Sequence, residues 1–115
     1  MDGNLVRGHI DGLVLAALER GPAHGYQVAI ELRQLSDGAF DLAEGTLYPA
    51  LHRLEHGGYV TSESMSVGGR RRRVYRLTDG GEQALAGKRD EWRDFAKAVE
   101  QVLLADGPSM AGTPG

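Results

Sequence analysis

Glu44-Gly45-Thr46-Leu47-Tyr48-Pro49-Ala50-Leu51-His52-Arg53-Leu54-Glu55 carries its apolar residues at 47, 50, 51 and 54, the narrow stripe of an amphipathic helix. Thr46, Pro49, His52, Arg53 and His56 fall on the opposite face, which holds no acid. About fifteen residues later comes Gly68-Gly69-Arg70-Arg71-Arg72-Arg73-Val74-Tyr75-Arg76-Leu77, a glycine turn followed by an arginine-dense strand. The formal net charge is −3, yet five arginines lie between 70 and 76 and no acidic residue occurs from Ser64 to Thr78. Broad coating of nucleic acid needs positive potential over the whole surface, which this composition excludes. A local basic patch on an acidic chain points instead to one defined nucleic-acid contact.

Upstream, Ile10, Leu13, Val14, Ala17 and Leu18 mark a first helix from His9 to Arg20, closed by Gly21-Pro22. Gly12 is costly inside a helix and predicts a close crossing by another element. A second helix runs from His24 to Leu35 and is closed by Ser36-Asp37-Gly38. The third spans Glu44 to Glu55 or His56 and stops at Gly57-Gly58. Pro49 is expected in its first turn or so, where amide hydrogens are largely unpaired. Tyr59 to Met65 and Arg71 to Leu77 then read as strands joined by a flexible tip, Ser66-Val67-Gly68-Gly69. Three helices followed by a hairpin is a winged helix-turn-helix order, a mainly α fold with a β-hairpin.

A final helix is expected from 79 to about 105, with Thr78 and Asp79 as capping oxygens and Glu82 completing a capping box. Leu85, Trp92, Phe95, Val99 and Leu103 follow a heptad-like stripe, so a long C-terminal dimerisation helix and a homodimer are expected. The division is thus a flexible N-terminus at 1–7, a DNA-binding domain at 8–78, the dimerisation helix at 79–105 and a disordered tail at 106–115. The 115 residues suffice for one domain. With no cysteine, no secretory pattern and no apolar run long enough to cross a bilayer, a cytoplasmic protein without membrane attachment is expected.

Each motif has a plainer reading. The polar face of the third helix could merely meet water, but a basic hairpin follows a helix-turn-helix here. Arg70, Arg71, Arg72 and Arg73 could protect an edge strand, although four in succession exceed that need, and two or three are expected on DNA, at phosphates or in a narrow minor groove. His52-Arg53-Leu54-Glu55-His56 fits H-x-x-E-H of one zinc peptidase class, but five residues without a third ligand do not make a site, so no metal, cofactor or enzymatic activity is expected. Trp92 reads first as a buried aromatic of the dimer core and second as a platform for a flat aromatic ligand.

The runs Gly21-Pro22-Ala23-His24-Gly25-Tyr26, Glu44 to Glu55, Gly69-Arg70-Arg71-Arg72 and Tyr75-Arg76-Leu77-Thr78 together resemble the PadR family of bacterial transcriptional regulators. The resemblance spans about Arg7 to Leu103 and implies the compact subgroup with one C-terminal dimerisation helix. It implies a homodimeric repressor on double-stranded DNA, at an inverted-repeat operator, released by a small aromatic or otherwise toxic effector. It would place Thr46, Tyr48, Pro49 and Arg53 on DNA, His24 and Tyr26 beside its backbone, and Arg70 to Arg73 in the wing. Trp92 would line a pore at the dimer interface bordered by Asp11, and Ala96 supplies no charge there for a cationic drug. The competing reading from another class is a winged-helix protein-interaction module without DNA affinity.

Overall fold

The computed structural model describes residues 8–108. The expected flexible N-terminus, 1–7, and residues 109–115 of the expected tail lie outside them. Four helices and a three-stranded antiparallel sheet are present among the described residues.

Helix α1, Ile10–Glu19, is the central helix of the fold, and its burial explains why its stripe is wider than the sequence spacing suggests. Leu15, outside the expected stripe, is fully buried along with Val14, because α1 packs against helices on more than one side. Gly12 meets the side chain of Lys88 on the last helix, so the close crossing it predicts is supplied from there. Strand β1, Ala23–His24, takes the expected first residue of the second helix, His24, together with the residue before it; it pairs with the last strand before α2, Gly25–Leu35, begins. Pairing Ala23 with Tyr75 and His24 with Val74 extends the backbone, which holds the helical start back to Gly25.

Helix α3, Glu44–His56, buries Leu47, Ala50, Leu51 and Leu54, the stripe read from the sequence. Pro49 is its sixth residue, further in than expected. Its missing amide leaves the Gly45 carbonyl without the usual helical donor, a loss the solvent-exposed side of the helix can make good with water. The helix ends on a Schellman pattern: Tyr59 N–H donates to the Leu54 carbonyl at 2.9 Å and Gly58 N–H to Glu55 at 3.1 Å, with Gly58 at φ +82°.

Strands β2, Val60–Val67, and β3, Arg70–Leu77, are joined by Gly68-Gly69 alone. Both glycines have positive φ, +57° and +83°, the requirement of a two-residue type I′ turn. The expected four-residue flexible tip is therefore corrected: Ser66 and Val67 are paired strand residues. Sheet order is β1-β3-β2, and Val60 and Tyr75 drive its inner face into the core.

Helix α4, Asp79–Leu103, is about 38 Å long at 1.5 Å per residue. Its cap is Thr78, whose hydroxyl oxygen accepts from Gly81 N–H at 3.0 Å and whose O–H donates to the Gly58 carbonyl at 2.6 Å. The helix begins at Asp79 as expected, but the expected Asp79–Glu82 capping box is not formed, because the N-cap is Thr78 and the third helical position is then Gly81, which has no side chain to reach back. Gly81 is needed there: a Cβ would collide with the Tyr59 carbonyl oxygen. The first turns of α4 belong to the core through Leu85, and Arg89 clasps Glu19 of α1 through two bonds of 2.8 and 3.0 Å.

Candidate nucleic-acid interface

Burial of one stripe of α3 forces the rest of that helix outward. Thr46, Pro49, His52, Arg53 and His56 are exposed and lie on the surface away from the core. Tyr48 behaves differently. It is half-buried and packs against Gly25 at the start of α2, where any side chain on Gly25 would overlap its ring. Tyr48 thus fixes the spacing of the two helices that form the helix-turn-helix.

His24 holds the entry to α2. Its Nδ1 accepts the Gln27 amide N–H at 3.2 Å, an N-cap bond that requires the unprotonated nitrogen, and its ring stacks with that of Tyr26 at 6.3 Å between centroids. Burial, and then the charge of Arg72, hold its pKa below the ordinary histidine value. Tyr26 itself is exposed beside the α2 N-terminus.

Arg53 and Asp11, read separately as a DNA contact and an effector residue, are brought together. Arg53 Nη2 donates to Asp11 Oδ1 at 2.8 Å, joining the outer side of α3 to the first turn of α1. Asp11 also borders an open cavity of about 310 Å³ with Leu15, Leu54, Tyr59, Lys88 and Glu91. Trp92 does not line that cavity. It packs edge-on against His9 at 5.3 Å and tilts against Phe95 at 6.2 Å.

The hairpin is tied to α3 by a chain the sequence did not announce. Ser62 O–H donates to Glu55 Oε2 at 2.5 Å, and Arg73 Nη1 donates to the same Ser62 oxygen at 3.1 Å. Glu55 therefore belongs to this link and not to a metal-ligand helix face. Among the described residues no group of three His, Asp or Glu is placed to hold a metal ion. Of the four tip arginines, Arg70, Arg71 and Arg73 are exposed and Arg72 is half-buried beside His24. The Glu55–Ser62 bond was not legible from periodicity, since it joins a helix to a strand across the intervening glycine turn.

The stripe on α4 divides in two. Leu85, expected at the dimer interface, is 3% exposed inside the chain's own core and has nothing left to offer a partner. Trp92 and Phe95 are 52% and 59% exposed, Val99 is half-buried, and Val102, Leu103 and Leu104 are largely bare. The outward apolar surface thus begins at Trp92, one heptad later than its sequence pattern.

A profile of the "Transcriptional regulator PadR-like family" matches residues 14–87. Transcriptional regulator Rv3488 of Mycobacterium tuberculosis is 45% identical over 67 residues, which make up 58% of this chain and 63% of that protein, so the match spans less than two thirds of that relative. A transcriptional regulator structure from Clostridium thermocellum superposes with a TM-score of 0.81 at 31% identity, covering 88% of this chain and 99% of the other. A PadR family transcription regulator from Clostridium difficile gives 0.74 at 37% identity, with 84% and 99% covered.

Proposed function

The chain belongs to the PadR-like family of transcriptional regulators, and from that premise we propose that it is a sequence-specific repressor that binds double-stranded DNA as a homodimer in a bacterial cytoplasm. The observation that carries this reading is the union of two elements. The exposed polar face of α3 stands beside an arginine-rich hairpin, and Glu55, Ser62 and Arg73 bond one to the other. In such an arrangement α3 enters the major groove, with Thr46, His52 and Arg53 facing base edges and phosphates. The hairpin supplies charge to the flanking backbone. A second copy joins through the bare α4 surface from Trp92 to Leu103, and the two α3 helices then address an inverted repeat.

A mobility-shift titration of the full chain on DNA from the region upstream of its own coding sequence tests this. Retardation is expected there in preference to unrelated DNA, and His52→Glu should abolish it by setting a carboxylate against phosphate or base acceptors. Equal retardation by the His52→Glu protein contradicts the placement of α3.

Release by a planar aromatic effector follows from the second role of Trp92. Half-exposed between His9 and Phe95, it offers a ring face at the proposed dimer seam. An effector lowers operator affinity only by its differential affinity for the free and DNA-bound dimers. Flat aromatics should therefore quench the emission of Trp92, the sole tryptophan, and weaken the DNA complex together. Quenching without any change in DNA affinity contradicts effector release.

A further inference from the structure

The four arginines of the hairpin are not equivalent, because alternate residues of a strand project from opposite faces and a type I′ turn fixes which partners they meet. The register sets Ser62 opposite Tyr75, Ser64 opposite Arg73 and Ser66 opposite Arg71. Tyr75 is buried in the core, so this is the inward face of the sheet continued beyond the core toward the tip. It is also the face turned to α3, since Ser62 bonds both Glu55 of that helix and Arg73. Every side chain on it past Tyr75 is a serine or an arginine.

The outward face has other chemistry. Met65 lies opposite Arg72 and Val67 opposite Arg70, and these two apolar side chains are 39% and 37% exposed. Glu63 on that face pairs with Arg76 at 3.2 Å, offsetting its charge, and Arg72 is half-buried, near enough to His24 for its charge to lower that histidine's pKa. The inward face also meets a carboxylate, Glu55, but at its base, where Ser62 engages it, and the Ser64–Arg73 and Ser66–Arg71 pairs lie nearer the tip. What separates the outward face is its apolar side chains, Met65 and Val67, set directly opposite Arg72 and Arg70, which make a poor phosphate surface. Serine hydroxyls beside guanidinium groups make a good one, since both donate hydrogen bonds to phosphate oxygens.

We propose that the two cross-strand pairs Ser64–Arg73 and Ser66–Arg71 form the phosphate-binding face of the hairpin, and that Arg70 and Arg72 stay off the DNA. The proposal rests on the DNA-binding reading above and adds to it two serines and a division among the arginines. Successive pairs stand two strand residues apart, about 6.8 Å, so both can engage one DNA strand. The hydroxyl contributes geometry without charge, and the guanidinium contributes charge.

Fluorescence-anisotropy titrations of the full chain on a labelled duplex of random sequence, repeated over a range of KCl concentrations, test this division. The R71A/R73A protein should bind about tenfold or more weakly, and the slope of log affinity against log salt should fall by about 1.8, because two phosphates are no longer neutralised. The R70A/R72A protein removes the same charge and should stay within about twofold of the wild type, with its slope unchanged. The S64A/S66A protein should lose about threefold in affinity at constant slope, a signature that charge alone does not produce. R71A alone, which disturbs no bond to α3, should lower the slope by about 0.9, and this reads the proposal even where loss of Arg73 loosens the hairpin. A loss for R70A/R72A equal to that for R71A/R73A overturns the division while leaving DNA binding intact. Failure of the wild-type protein to bind any duplex overturns both.

Discussion

His24 joins local stability to the state of one proton. Its Nδ1 can accept the Gln27 N–H only while unprotonated, and burial, reinforced by Arg72, lowers its pKa from the ordinary 6.5. As pH falls, the unfolded chain takes up this proton first. The contribution of the cap is thus fully present above 6.5 and is lost as pH descends through that value toward the folded pKa. His24→Asn replaces the Nδ1 acceptor with a capping amide oxygen and removes the titration, so thermal melts from neutral to mildly acidic pH should show a smaller fall for the variant, the gap approaching the roughly 1 kcal/mol of a helix cap. Identical pH profiles contradict the capping role. Gly81 and Gly87 give the complementary case of space. Both lie in α4, but a Cβ at Gly81 would strike the Tyr59 carbonyl, whereas one at Gly87 meets nothing within 4 Å. Gly81→Ala should cost about 3 kcal/mol, and Gly87→Ala should gain up to about 1 kcal/mol from helix propensity. Calorimetry that finds the two variants alike contradicts the close crossing. Neither outcome was legible in the sequence, where both are simply glycines in a long helix, because a close approach is set by a distant part of the chain.

Helix α4 serves the domain with its first turns and faces outward with the rest, and the change falls between Leu85 and Trp92. Leu85→Ala should therefore destabilise the winged-helix domain by about 2–5 kcal/mol, as a core truncation does. Phe95→Ala should leave domain stability within about 0.5 kcal/mol in dilute solution, since its ring is already largely in water. Melting of the two variants at low concentration separates these roles. The heptad pattern at 85, 92, 95, 99 and 103 identified the helix and its apolar side correctly as elements, but periodicity records only that a side is apolar and not which surface covers it. The hairpin shows a similar boundary between what was readable and what was not. Glycine pairing and alternation announced two strands, and placing the turn at Gly68-Gly69 would have fixed the register by itself. Strand alternation alone separates Arg70 and Arg72 from Arg71 and Arg73, but a four-residue tip does not fix the register, so the pairing of Ser64 and Ser66 with Arg73 and Arg71 does not follow from it. Strand β1 escaped because two residues carry no period, and its existence depends on β3 offering an edge. The polar face of α3 was legible because its stripe at 47, 50, 51 and 54 is buried without exception, whereas the Arg53–Asp11 and Glu55–Ser62 bonds depend on the packing of elements far apart in sequence.

The described residues together are elongated, 71 × 27 × 20 Å, with a packed winged-helix body and an α4 end that leaves Trp92, Phe95, Val102 and Leu103 uncovered. In the proposed dimer those side chains form the seam with the second copy, and two linked bodies bind a palindromic site more tightly than either alone. Removing residues from Trp92 onward takes away no residue of the core. The truncated chain should therefore remain a folded monomer by sedimentation and circular dichroism, with operator affinity reduced about 100-fold or more by loss of the second body. A truncated monomer with full affinity contradicts the dimeric reading. The central claim is that two α3 helices, held by one dimer, read a symmetric DNA sequence. Sequencing the genomic fragments retained by the full chain at physiological salt measures this directly. The account predicts enrichment of one inverted repeat whose half-sites are centred about one helical turn, roughly 34 Å, apart or a multiple of it. Recovery of fragments with no shared sequence, or of a single unrepeated half-site, contradicts it.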